Sequence, residues 1–534
     1  MKLFGTKKKK LSSSLILLLV YVILSTIWAY ICLTKSGYMH QKVVFKDPLL
    51  YTNLITTLCF IVLVHIGICS RHYFIVVIST LFLFLFLSEI SYFIVYGQII
   101  SEGILNSIVE TNSFEALSMS KQVLLITVPA FIVTFLILFI VRKVVTVRFS
   151  PLIPLTFYLL VFMLIGAMAF TTPIDSEIKR GYYKNSADIV RRIYPAALGN
   201  LSYLLASYAS TNIYSNTHEI EKFNEAVLLP PNQPNNDLIV FIMGEASLVT
   251  RYSTYGYHKQ TSPFITDIFS QNGACIIPKI HSAAAFTKDS LPMTLSFNLP
   301  ESDDNLFNNK SIIEMAKFNH YKTFWLASVA QEIQGSFNTK FGFIARKSDV
   351  VSFTNDSDDM SLSQLLETTL QNNNSPKNFI FVHLRGSHQP YTNYDEVDKQ
   401  ALPDAEEYDL TIHHTDRAVK ALYDVINKYS DNYTVIYTSD HGEIVNVGHG
   451  IDNKVDQFLI PFMFISTNHR YDCQFIESFR GPTGYLSGLM NKYILSNLLG
   501  YNIDQTILEK EKSNDRVLMP NGNVMPFLEI LKNQ

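Results

Sequence analysis

Cysteine is scarce in this chain, with five residues among 534, and Cys32, Cys59 and Cys69 fall in or beside strongly apolar segments. Only Cys275 and Cys473 remain in the polar half. At most one disulfide is available there, which excludes a disulfide framework as the source of that half's stability. A basic excess is also missing. The formal net charge of −3 lacks the surplus of cations by which a general nucleic-acid binder meets its ligand, so no nucleic-acid partner is expected. Charged residues make up only 17% of the chain and thin out further before about residue 175. No internal repeat is evident, which sets aside a repeat architecture.

What is abundant is apolar sequence, at 48% of residues. A chain of this length exceeds what one hydrophobic core serves, so two structural units are expected, a membrane half and a soluble half. The segments Ser14 to Leu33, Asn53 to Cys69, Tyr73 to Tyr96, Val123 to Val141 and Leu152 to Phe170 are each near the length of a bilayer-spanning helix, which predicts five crossings. The first has Lys7 to Lys10 before it but no small-residue cleavage pattern after it, so it reads as a retained anchor. Lys2 and Lys7 to Lys10, then Arg71, then Arg142, Lys143 and Arg148 alternate to one side, with Lys35, Lys42 and Lys46 a mild exception. Basic residues mark the cytoplasmic face. An odd number of crossings then places everything after Phe170 outside the cytoplasm, which in a two-membrane bacterium means the periplasm.

Three regions are expected: a five-helix membrane domain over 1–172, surface or bridging helices and a linker over 173–235, and a soluble domain over 236–534. Ile178 to Tyr194 mixes five cations with Tyr182, Tyr183 and Tyr194, a pattern that suits either a membrane surface or a solvated basic helix face. Pro230 to Asn236 breaks regular structure and marks the boundary. Beyond it, Leu238 to Met243, Thr323 to Ala327, Phe379 to Leu384, Thr434 to Tyr437 and Pro461 to Ile465 read as buried parallel strands. Helical stretches at Ser311 to Asn319, Ser361 to Leu370 and Thr411 to Lys428 alternate with them, which predicts an α/β domain with a mainly parallel, doubly wound sheet. Glu301 to Lys310, Asn355 to Ser361 and Asn372 to Asn378 read as solvated loops.

Three strand ends run into residues that chemistry can use: Gly244-Glu245, Gly386-Ser387-His388 and Ser439-Asp440-His441-Gly442-Glu443. Sites in such sheets lie at the carboxyl ends of the strands. Carboxylate oxygens with an imidazole nitrogen suit zinc, and a carboxylate-rich set also accepts manganese or magnesium. Taken singly, an Asp-His pair after a strand is equally a cap and a hydrogen-bonded turn.

These residues, with Tyr255 to Phe264, Thr287 to Pro292, His383 to Tyr391 and Gly448-His449-Gly450, resemble the phosphoethanolamine transferases of the bacterial inner membrane. That family belongs with sulfatases and lipoteichoic acid synthases in the alkaline-phosphatase superfamily. The resemblance implies that Glu245, Thr287, Asp440 and His441 bind one tightly held zinc ion, with manganese the lesser alternative, and that Thr287 is the nucleophile. His388 and His449 match positions that bind the transferred phosphate or a second, weaker metal and can protonate a leaving oxygen; His383 is their companion in substrate binding. Glu443 is left out of the metal set, as a partner of the ligands or a helix N-terminal carboxylate.

The implied reaction moves phosphoethanolamine from phosphatidylethanolamine through a phosphothreonine to lipopolysaccharide, at its core or lipid A, or to a periplasmic glucan, releasing diacylglycerol. Relatives that modify lipid A carry a cysteine pair around the nucleophile where Ala283 and Met293 stand here, so the chain looks closer to core- or glucan-modifying members. Trp325 to Gln331 also departs from the family's Asn-rich stretch and leaves Gln331 only a guess at a phosphate contact. The rivals are a phosphoglycerol transferase using phosphatidylglycerol, then a sulfatase, for which the required Cys/Ser-x-Pro-x-Arg pattern is lacking. From another class come a transporter or a non-catalytic envelope scaffold, although Glu89 is almost the only intramembrane charge.

Overall fold

The computed structural model describes residues 2–35, 48–101, 104–105, 113–144, 150, 152–157, 159–160, 163, 197–201, 204, 220–232, 236–328, 340–356 and 358–532. The chain divides into two compact units, the first drawn largely from residues 1–210 and the second largely from 211–534.

In the first unit the described residues form four long helices, α1 (Lys2–Lys35), α2 (Pro48–Ile68), α3 (Tyr73–Tyr96) and α4 (Ser113–Val144). All four are long and apolar enough to cross a membrane. Bulky residues that meet inside them, Trp28, Phe60, Phe82 and Phe86, are buried, while Leu15, Leu19, Ile23 and Ile27 of α1 point outward. Such an inside-out distribution suits a lipid solvent, which asks only that backbone groups be satisfied within each helix. Of the fifth expected crossing, residues 152–157 are helical. The rest of it lies mostly outside the described residues, as does the segment 178–194.

The second unit is built on a seven-stranded sheet. Its strands are β1 (Leu238–Gly244), β2 (Ala274–Ile276), β3 (Lys322–Ala327), β4 (Val350–Phe353), β5 (Asn378–His383), β6 (Tyr433–Ser439) and β7 (Phe462–Ser466). They lie in the order β2-β7-β6-β1-β5-β3-β4. β1, at the centre, pairs in parallel with β5 and β6. Its side chains alternate strictly: Ile239, Phe241 and Met243 enter one core and Leu238, Val240 and Ile242 the other. A strand covered on both faces needs an unbroken apolar run, which is what the sequence supplies. Emptying such a site, as in Phe241→Ala, costs about 3–5 kcal/mol.

One expected strand is corrected. Residues 462–466 run antiparallel to β6 rather than parallel. A parallel neighbour needs a crossover, usually helical, whereas residues 440–461 form an irregular loop with a single 3-10 turn at Asp456–Phe458, so the chain doubles back. The short strands β2 and β4 fall where no strand was expected. Cys275 of β2 and Cys473 are joined by a disulfide. The helices that matter for the site are α5 (Thr287–Leu295), α6 (Ser361–Gln371) and α7 (Glu407–Tyr429), and α8 spans Cys473–Glu477.

Candidate active site

The site forms where β1, β5 and β6 end and α5 begins. Glu245 follows β1 directly, and the next residue, Ala246, is held at a left-handed φ of 52°, a conformation that costs a non-glycine residue about 1 kcal/mol or more. The turn is held from outside, because the Ala246 N–H donates to Asp440 Oδ1 at 3.2 Å. Asp440 in turn accepts the backbone N–H of His441 at 2.7 Å. Two strand ends are thereby tied into one rigid corner.

Thr287 is the first residue of α5, and its Oγ1 lies 3.1 and 3.0 Å from the two Glu245 carboxylate oxygens. It is 3.4 Å from His441 Nε2. His441 Nε2 is itself 3.0 Å from Glu245 Oε1 and 3.4 Å from Asp440 Oδ2. The other imidazole nitrogen, Nδ1, donates to the Gly442 carbonyl at 2.8 Å, which turns Nε2 toward the cluster. Ser290, one turn into α5, donates to the Asp440 carbonyl at 2.6 Å and fastens the helix to the β6 end.

Glu245, Asp440 and His441 present ligand atoms within 4.8 Å of one another. Asp440 Oδ2 is buried without a hydrogen-bond partner. Four-coordinate zinc with bonds of about 2.0 Å wants its donor atoms about 3.3 Å apart. The spacing observed from the Thr287 hydroxyl to the Glu245 and His441 atoms matches that edge, and the carboxylate, imidazole and hydroxyl donors are of the right chemistry, so the residues fit the ion. The electrostatics agree. Burial alone would raise the Glu245 carboxyl, but hydrogen bonds from His383 and His441 hold it well below the usual range. Burial and then the Glu245 charge push Asp440 up to about 6. Burial acts against charging His441, yet the two carboxylates draw it up to about 9. Two buried carboxylates facing each other ask for positive charge between them.

The remaining histidines line the same corner. The His449 ring lies tilted at 4.3 Å from the His441 ring and edge-on at 5.3 Å from that of His388. Burial, followed by the proximity of His441, lowers the His449 pKa. His388 Nδ1 lies 2.6 Å from the Gln389 carbonyl. His383 ends β5 with Nε2 3.6 Å from Glu245 Oε2, beneath the cluster.

Residues 237–478 match the family model described as Sulfatase. The chain is 24% identical over 459 residues to phosphoethanolamine transferase EptC of Escherichia coli strain K12, covering 77% of this chain and 76% of that protein. It is 25% identical over 262 residues to phosphoethanolamine transferase OpgE of the same organism, covering 45% and 47% of the two chains. The solved integral membrane protein lipooligosaccharide phosphoethanolamine transferase A (EptA) from Neisseria meningitidis superposes with a TM-score of 0.54 over 90% of this chain and 95% of that one, at 17% identity. Over most of its length the chain is similar to bacterial phosphoethanolamine transferases.

In this phosphoethanolamine transferase homologue, Glu443 is not a helix-terminal carboxylate. It accepts the Tyr391 hydroxyl at 3.0 Å and meets His449 Nδ1 at 3.0 Å. A carboxylate is an acceptor only, so Nδ1 carries the proton and Nε2 is left for chemistry. Sequence reasoning passed over Tyr391 as a functional contact, although it closes the motif that begins at His383. Phe286, whose ring stands edge-on to His449 at 5.5 Å, was also passed over. Its place next to Thr287 was the available signal. Gln331 lies outside the described residues.

Proposed function

We propose that this protein transfers phosphoethanolamine from phosphatidylethanolamine to an envelope glycolipid or glycan, through a covalent phosphothreonine at Thr287. The observation that carries the reading is the position of Thr287 Oγ1, 3.0 Å from Glu245 and 3.4 Å from His441, at the N-terminus of α5. Glu245, Thr287, Asp440 and His441 would hold a zinc ion. When bound, the cation favours the alkoxide of a neighbouring alcohol and neutralises charge on a phosphoryl oxygen.

In the first displacement Thr287 Oγ1 bonds to phosphorus while the bond from phosphorus to the glycerol oxygen breaks. His449, its Nδ1 proton anchored on Glu443, takes at Nε2 the proton that the Thr287 hydroxyl gives up and passes it to the glycerol oxygen of the departing diacylglycerol, with His388 beside it to bind the phosphoryl group. An acceptor hydroxyl, or a phosphate that carries a proton, then attacks the phosphothreonine, the bond from phosphorus to Thr287 Oγ1 breaks, and the acceptor's proton passes through His449 Nε2 back to the Thr287 oxygen. The positive end of the α5 dipole faces the anionic group being moved.

The proposal extends to topology. Five crossings over 1–172, a bridging region over 173–235 and a periplasmic catalytic domain over 236–534 would tether the catalytic domain to a bacterial inner membrane, where a lipid donor retains its acyl chains. Tethering of this kind raises the effective concentration of a membrane substrate. Lipopolysaccharide, at its core or lipid A, or a periplasmic glucan is the acceptor; as the alternative to their part in phosphoryl and proton transfer, His388 and His449 would hold a second, weaker metal.

The test is mass analysis of the peptide containing Thr287 after the purified full chain meets phosphatidylethanolamine without acceptor. An increment of ethanolamine phosphate on Thr287, lost in Thr287→Ala, is expected. Diacylglycerol release that persists in Thr287→Ala would overturn the mechanism, and release from phosphatidylglycerol instead would favour the phosphoglycerol reaction.

A further inference from the structure

Asp359 lies in a polar stretch between β4 and α6, yet its exposure is 0%. Its carboxylate accepts from four donors and from no cation among them. Oδ1 takes the Ser328 hydroxyl and the Arg385 backbone N–H, the latter at 2.8 Å. Oδ2 takes the Gly386 N–H at 2.9 Å and the Asn393 side-chain amide at 2.7 Å. That same amide reaches the Gly386 carbonyl at 2.9 Å. The loop leaving β5 is therefore wrapped around one buried carboxylate at consecutive backbone positions, and such an anion, once desolvated, is retained only where its acceptor capacity is filled.

What that loop does explains the expense. Gly386 turns at a φ of 58°, and immediately after it the Ser387 N–H donates to the Glu245 carbonyl at 2.9 Å. His388 follows. The turn thus sits between Asp359 and two groups of the reaction centre: Glu245 on one side and His388 on the other.

We infer that Asp359 is a positioning residue, which acts through the Arg385–Ser387 turn to set the backbone of Glu245 and the imidazole of His388. The inference rests on the reading of Glu245 as a zinc ligand. Outer groups that orient ligands typically change metal affinity 10–100-fold when removed. Asp359→Asn preserves size but replaces one acceptor oxygen with an NH2 group, which must face a donor whichever way the amide is turned.

The experiment uses the full chain in detergent micelles and measures three quantities: zinc affinity by competition with a chelator, kcat and KM for diacylglycerol release from phosphatidylethanolamine, and Tm. Asp359→Asn is expected to bind zinc at least about 10-fold more weakly and to lose kcat with KM little changed. Asn393→Ala, which removes the amide bridging Asp359 to Gly386, is expected to move zinc affinity and kcat in the same direction by less. It decides the matter should Asp359→Asn fail to fold. Asp398→Asn removes an equally buried carboxylate that binds His413 and His414 instead. It is expected to lower Tm and leave zinc affinity in place. Unchanged zinc affinity and kcat in the first two variants, in a parent that holds zinc, would overturn the positioning role alone. A parent that binds no zinc would overturn both this role and the site on which it rests.

Discussion

A Cβ placed on Gly386 would stand 2.5 Å from the carbonyl oxygen of Glu245 and 2.7 Å from its backbone nitrogen. Real Cβ atoms do not approach backbone so closely, so a side chain here must push the Glu245 turn away from the cluster. The left-handed φ at Gly386 adds a cost of about 1 kcal/mol or more for any L side chain. Gly386→Ala should therefore reduce zinc retention and turnover by about 10-fold or more while the sheet stays folded. Zinc per chain after purification, by elemental analysis, checks this. Full occupancy with parental turnover would count against the close approach being functional.

Glu443 and His449 make a second testable pair. The carboxylate fixes the Nδ1 proton and also accepts the Tyr391 hydroxyl. In Glu443→Gln the amide can keep only one of these contacts as an acceptor, and the histidine loses its charged partner. Turnover should fall by about 10–100-fold, with a smaller fall in Tyr391→Phe. Steady-state kinetics on both variants, with Tm as a check on folding, measure it.

The sequence made the parallel core legible because strands buried on both faces must be apolar throughout, and Leu238 to Met243 or Phe379 to Leu384 can hardly be anything else. It also placed Glu245, His388 and Asp440 at strand ends, where the structure finds them together. Thr287 was different. Nothing in its local pattern separates a nucleophile from a capping hydroxyl, and only resemblance singled it out. Asp359 was misread as part of a solvated loop, because a carboxylate satisfied by backbone N–H groups distant in sequence has no local signature. The direction of β7 was misread for a related reason: apolar runs report burial and carry no information about strand polarity.

Stability should depend on pH through His414. Its Nδ1 is 2.8 Å from Asp398 Oδ2 and its Nε2 2.9 Å from Asp358 Oδ1, so both nitrogens donate to carboxylates. Burial opposes the charge, but the bonds to Asp358 and Asp398 raise the pKa from 6.5 to about 9. Asp359 adds to the rise, and Arg417 and His413 share Asp398 with His414. The folded value lies above the unfolded one. The contribution is therefore complete below pH 6.5 and lost as pH climbs through about 9. Its size is roughly 3 kcal/mol, or a Tm lower by roughly 5 °C at the alkaline end. Thermal unfolding at the two pH values should show a smaller difference in His414→Gln than in the parent.

The disulfide supplies the last prediction. Cys275 lies on the edge strand β2 and Cys473 at the start of α8, 198 residues apart. A cross-link over so long a loop restricts the unfolded chain strongly, and the chain-entropy estimate is about 5 kcal/mol, of which native domains typically realise about 2–5. Cys473 is the exposed partner, so Cys473→Ser removes the bond with least damage to the core around Cys275. A fall in Tm of roughly 10 °C is expected. Reductant should lower the parent by the same amount and leave the variant where it is. β2 is separated from β1 by β7 and β6, so zinc affinity should be unchanged below the new Tm. Loss of zinc in the folded variant would mean that the sheet edge and the catalytic corner are mechanically linked, contrary to the rigid corner formed by Ala246 and Asp440.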